Sequence, residues 1–177
     1  MKKNNLIVLS IVMVATALFP LTGKSQEAKL IADSKTANEA FVNTDPLMSS
    51  LFSSSYGYAI FPNIGKGAIG VGGAAGNGVV YQGGNIIGSA KMKQVTVGFQ
   101  LGGQKYREVI FFENRAALDH FKENSFELSA QASAVAVTKG ASTNVKYRDG
   151  VMVFTQEKGG LMYEASVGGQ KFKFIPN

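Results

Sequence analysis

The sequence predicts a single α+β domain: a mostly antiparallel β-sheet, barrel- or sandwich-like, with about three short helices. Three observations predict it. Of the 21 glycines, 14 fall between Gly57 and Gly103, where apolar residues recur at spacings of one or two rather than three or four. Glycine-free stretches rich in helix formers flank that region at 27–43 and 114–124. The C-terminal part returns to strand patterning in VKYRDGVMVFTQ, KGGLMYEASVGG and QKFKFIP. Barrel and sandwich both satisfy this pattern, because strand order is not written in it.

The chain begins with Lys2 and Lys3, then a sixteen-residue apolar run, LIVLSIVMVATALFPL, then Gly23 and Ser25 in small-x-small spacing. That is the layout of a secretory signal peptide over residues 1–25, which predicts export to the periplasm or outer envelope, with secretion as a further possibility. The domain is then residues 26–177, a length suited to one core. There is no cysteine, which excludes acylation of an N-terminal cysteine, disulfides, thiol catalysis and cysteine-ligated metals. Removing Lys2, Lys3 and Lys24 from the 18 basic residues leaves 15 against 12 acidic ones, a net charge of +3. So mild an excess does not call for nucleic acid, and it is compatible with an anionic lipid surface.

The elements follow in order. Residues 27–43 predict a helix with Leu30, Ala37 and Phe41 on one face. Asp45-Pro46 ends it, since the residue before proline is pushed out of the helical region. LMSSLFSSSYG reads as a loop or a second short helix. From Gly57 to Phe112 hairpins are expected, with tight turns at Gly76-Asn77-Gly78, Gly83-Gly84-Asn85 and Gly102-Gly103. Asn114 caps a helix over NRAALDHFKEN, and Ser125 opens another over FELSAQASAVAV, closed by Gly140. Asp149-Gly150 and Gly159-Gly160 mark the last turns.

Catalytic chemistry finds little material here. Gly65, Gly67 and Gly70 fit a dinucleotide fingerprint by the letter, but Pro62-Asn63 precede them and VGGAAGNGVV follows, which no helix would choose. A structural glycine-rich strand is the expectation. His120, the single histidine, stands beside Asp119 and Lys122 as a surface residue, so neither a triad nor a zinc site can be assembled. No enzyme, no cofactor and no metal are expected.

A two-residue turn at Gly102-Gly103 would set Phe99 opposite Tyr106, Val97 opposite Glu108 and Val95 opposite Ile110. One face would then hold Val95, Val97, Phe99, Leu101, Tyr106, Ile110 and Phe112, with Lys93 and Lys91 continuing the row. An apolar surface ending in lysines suits an acyl chain and its phosphate; it equally suits an ordinary core face with an exposed end. Glu108 is the anomaly on that face. Either it is a buried acid that needs a donor or a shifted pKa, or a bulge slips the register and turns it outward.

GYAIFPNIGKGAIGVGGAAGNGVVY, VTVGFQLGGQKYREVIFF, FELSAQASAVAV and DGVMVFTQEKGGLMYEASVGGQKF, in that order, resemble the SYLF domain family, over roughly Leu30 to Phe174. The resemblance implies a single β-rich, non-enzymatic domain with affinity for phospholipid. Eukaryotic relatives bind phosphoinositides, are linked to actin regulation and use an N-terminal amphipathic helix at membranes; bacterial members resemble exported envelope proteins. It implies a phospholipid or membrane surface as partner; the alternative is a structural or interaction protein that binds another envelope protein, or itself, through a strand edge. Lys66, inside the glycine motif, joins Lys91, Lys93, Phe99, Tyr106 and Glu108 as the candidate lipid-binding residues.

Overall fold

The computed structural model describes residues 19–69, 71–97, 104–130, 132–158 and 165–177. Helices α1 (Phe19–Thr44) and α2 (Met48–Ser54) lead into strands β1 (Gly57–Ile69), β2 (Val71–Gln82), β3 (Asn85–Val97) and β4 (Gln104–Phe112). Helix α3 (Arg115–Lys122), β5 (Ser133–Ala136), a 3-10 turn at Ala141–Asn144, β6 (Val151–Glu157), β7 (Ala165–Ser166) and β8 (Lys171–Pro176) complete the chain. The strands run in the order β7-β5-β6-β4-β1-β2-β3-β8, antiparallel except where β5 meets β6. The sheet is open, and the expected α+β class holds.

Strand alternation sorts side chains onto two faces. One face buries Phe61, Ile64, Val80, Met92, Ile110, Phe112, Val153 and Phe172 beneath Leu118 and Phe121 of α3 and Phe126 and Leu128 after it. The other packs Tyr58, Ile60, Val79, Tyr81, Val109, Phe111 and Phe154 against Ala37, Phe41 and Met48 of α1 and α2. Leu30, Ala37 and Phe41 share the inward stripe of α1 as expected, and Ser34 on the same stripe hydrogen-bonds the Tyr81 hydroxyl at 3.0 Å. The helix runs unbroken through Ser25, with residues 23–29 exposed.

Asn114 caps α3 by accepting from the Ala117 amide at 3.1 Å. Asp149-Gly150 forms the expected two-residue turn, both residues at positive φ, with Arg148 and Val151 exchanging backbone bonds of 2.9 Å. Gly83-Gly84 also turn as expected. Gly102-Gly103 and Gly159-Gly160 lie outside the described residues.

Three expectations are corrected. Where it is described, FELSAQASAVAV is not helical: Leu128 exchanges backbone bonds with Gln170 and Gly169, Phe126 accepts from the Phe172 amide of β8, and 133–136 is β5. Small β-tolerant residues here follow the tertiary pairing on offer instead of their helix propensity. Gly76-Asn77-Gly78 lies inside β2 and makes no turn. It faces a bulge in β1, where three residues from Phe61 to Ile64 span two of β4; a Cβ on Gly78 would sit 2.7 Å from the Ile60 carbonyl and from the Phe61 ring. Finally, β3 and β4 are not partners. The β1-β2 hairpin lies between them, so Val95 pairs with Gly73, Val97 with Val71, and Ile110 with Ala59 and Val153.

Candidate functional site

The bulge in β1 splits the helix-side face of the sheet into two regions. Up to Ile60 that face is apolar and covered by α1 and α2; beyond the bulge asparagines and lysines come to dominate it. Asn63 of β1 pairs with Asn77 of β2, Asn77 with Lys91 of β3, and Lys91 with Lys173 of β8. The next row runs from Lys105 through Gly65, Ala75 and Lys93 to Lys171. Lysines therefore stand directly opposite lysines at two alternate positions of the β3-β8 pair, on one face, and all four are exposed.

Like charges set opposite across a strand pair are destabilising. Among the described residues, one carboxylate reaches this quartet: Glu127, 3.4 Å from Lys171. Val95 extends the β3 row with 76% of its surface exposed, and Ile175 extends the β8 row. The arrangement can hold a surface of negative charge, with an apolar side chain at the end of one row.

Of the sequence-predicted residues, Lys91 and Lys93 lie on this face. Lys66 pairs through its backbone with Ala74 and Gln104 in β1, and its side chain is outside the described part of the structure. Phe99 lies outside the described residues. Tyr106 and Glu108 are buried on the opposite face, so they do not share a row with the lysines. The physical reason is twofold: two strands intervene, and β3 turns Ala90, Met92 and Gln94 inward, leaving Lys91, Lys93 and Val95 outside. Lys171 and Lys173 were missed as site residues, although the lysine-phenylalanine alternation at 171–174 is a readable sign of a strand with one basic face.

The register question at Glu108 is settled by the location of the bulge. It falls in β1, whereas β4 keeps strict alternation, so Glu108 stays inside with Tyr106, Ile110 and Phe112. It is fully buried opposite Phe61 and Thr155 and accepts from Gln170 Nε2 at 3.0 Å. Burial pushes its carboxyl up from 4.5 to about 7, against a smaller opposing effect of the Gln170 bond. Burial and the neighbouring Glu108 likewise raise the Tyr106 phenol. His120 is exposed beside Glu123, as expected.

GKGAIG has the surroundings of a strand. Residues 65–69 continue β1 and β2 begins at Val71, so no helix N-terminus is available for a pyrophosphate. A groove of about 910 Å³ lies between 126–135 and 144–153, and its lining includes Phe126, Leu128, Val135, Tyr147 and Val151.

With the fold and this surface in place, comparison with known proteins decides the family resemblance. Residues 93–174 match the Ysc84 family. That family, described as "Las17-binding protein actin regulator", is a SYLF family, so the expected resemblance is met over the span from β3 to β8. The chain is also 28% identical over 158 residues to "Beta cell expansion factor A" of Aeromonas veronii, covering 88% of this chain. It spans 59% of that relative's length. The Ysc84 match takes in Lys93, Lys171 and Lys173.

Proposed function

We propose that this chain is a non-enzymatic phospholipid-binding protein of the bacterial envelope, exported by way of residues 1–25 and held to anionic membrane surfaces by its lysine rows. The observation that carries this reading is the exposed quartet Lys91, Lys93, Lys171 and Lys173, paired lysine to lysine and matched, among the described residues, by one carboxylate. A lysine near an anionic bilayer contributes about 1 kcal/mol, so four contribute roughly 4 kcal/mol, close to a thousandfold in affinity. The family match and the bacterial relative support the reading. The apolar stripe of α1 is occupied by the sheet, so the surface contact assigned here is the basic face and not helix insertion.

The test is co-sedimentation with vesicles of phosphatidylglycerol and phosphatidylethanolamine against vesicles of phosphatidylcholine. Retention on the anionic vesicles that weakens as salt rises is expected. Absence of retention on any vesicle refutes the reading. A protein partner docking on the edge of β8 is the second reading, favoured by that strand's outer position and by a family description that names a protein target. A stable complex with an envelope protein, formed without lipid, selects it.

A further inference from the structure

Where α1 crosses the bulge of β1, a cleft of about 150 Å³ is lined by Lys29, Asp33, Thr36, Asn63, Arg107 and Lys158, with Ala37 at its base. Three cations, on α1, on β4 and just after β6, meet one carboxylate there. Asp33 is already committed: it accepts from Lys29 Nζ at 2.7 Å and from Asn63 Nδ2 at 3.2 Å. Lys158 Nζ donates to the side-chain Oδ1 of Asn63, so a chain of contacts runs from Lys29 through Asp33 and Asn63 to Lys158. Arg107, on β4 between Val109 and the exposed Lys105, lines the same cleft with a buried Nε that has no hydrogen-bond partner among the described residues. A buried guanidinium donor left unpaired is unfavourable unless something accepts from it.

The bulge is what makes the cleft. It turns Asn63 out of the alternation that buries Phe61 and Ile64, and so sets an amide beneath α1. Burial and the positive charges of Arg107, Lys105 and Lys29 together depress the Lys158 ammonium, with Asp33 opposing. The cleft therefore holds more positive charge than its one acid can match.

From this geometry we infer that the cleft is a binding site for a single phosphate-class oxyanion, held by Arg107 and Lys158 with Lys29 and Asn63 at its rim. The guanidinium supplies the fork that suits two phosphate oxygens, and the two ammonium groups supply charge. The phosphate is either free or the headgroup phosphate of a lipid. The lipid case rests on the function proposed above; the free-phosphate case does not.

The experiment is calorimetric titration of the purified full chain with inorganic phosphate in chloride buffer, followed by vesicle co-sedimentation with and without phosphate as competitor. Saturable binding of one phosphate, weakened tenfold or more in Arg107→Gln and in Lys158→Gln, is expected, since one charged hydrogen bond is worth at least about that factor. The exposed Lys29→Gln, which leaves the sheet untouched, should weaken it less. Phosphate that also displaces phosphatidylglycerol vesicles identifies the lipid headgroup as the source. Phosphate that binds without affecting vesicles identifies the free anion. No saturable phosphate binding by the wild-type chain, or binding unchanged in both Arg107→Gln and Lys158→Gln with circular dichroism intact, overturns the site. Vesicle retention that needs Lys91 and Lys173 but not Arg107, with no phosphate binding, overturns this site and leaves the proposed function standing.

Discussion

Replacing Glu108 by glutamine should make the protein more stable at neutral and alkaline pH. The acid is fully buried and, among the described residues, receives one donor, from Gln170, while its Oε1 and the Oγ1 of Thr155 opposite have no hydrogen-bond partner there. Unfolded, it loses its proton near 4.5, and folded it keeps the proton to about 7. Between those values the native state binds the extra proton, so stability falls as pH rises through the window and levels off above it. The step from 4.5 to about 7 corresponds to roughly 3 kcal/mol, a large share of a small domain's stability. Glutamine keeps the shape and the acceptor for Gln170 but cannot ionise. Urea unfolding of wild type and Glu108→Gln at intervals from pH 4.5 to 8.5 should give a falling curve for the first and a flatter one for the second, with the variant ahead by about 2–3 kcal/mol at pH 8. Wild-type stability that does not change across this window, or a variant that is weaker at pH 8, would refute the reasoning.

Gly78→Ala forces a Cβ against the Ile60 carbonyl and the Phe61 ring, and should destabilise by about 2 kcal/mol or more in the same urea assay. Asp45 anchors the 3-10 turn by accepting from Ser142 N at 2.9 Å and Ser142 Oγ at 2.7 Å, and also from the Leu47 amide. Although burial works against its charge, these bonds hold the carboxyl below its ordinary range, so the stability it contributes is present above about pH 4 and lost in stronger acid. Asp45→Asn should lower stability by about 2 kcal/mol at pH 7, and the gap should narrow as pH falls below 4. Lys173→Glu turns a like-charge cross-strand pair into an attractive one with Lys91; it should raise stability by about 0.5 kcal/mol in thermal melts and weaken sedimentation with anionic vesicles. Gains in both stability and vesicle binding would count against the lysine face as the lipid contact.

The sequence by itself determined the class, the first helix with its Leu30-Ala37-Phe41 stripe, the cap at Asn114 and the turn at Asp149-Gly150. Each depends on neighbours a few residues apart: helical periodicity, a side chain reaching the third amide on, and backbone angles that glycine and aspartate tolerate. Lys91 and Lys93 were legible for the same reason, as alternate residues of one strand. Only the tertiary structure decided that β1 and β2 lie between β3 and β4, which moved Tyr106 and Glu108 to the face opposite those lysines. It alone brought Lys171 and Lys173, about eighty residues further on, beside Lys93 and Lys91, and set Lys29, Arg107 and Lys158 around one cleft. Strand order and the position of a bulge depend on which pairing buries the most apolar surface across the whole chain, and no local window carries that comparison.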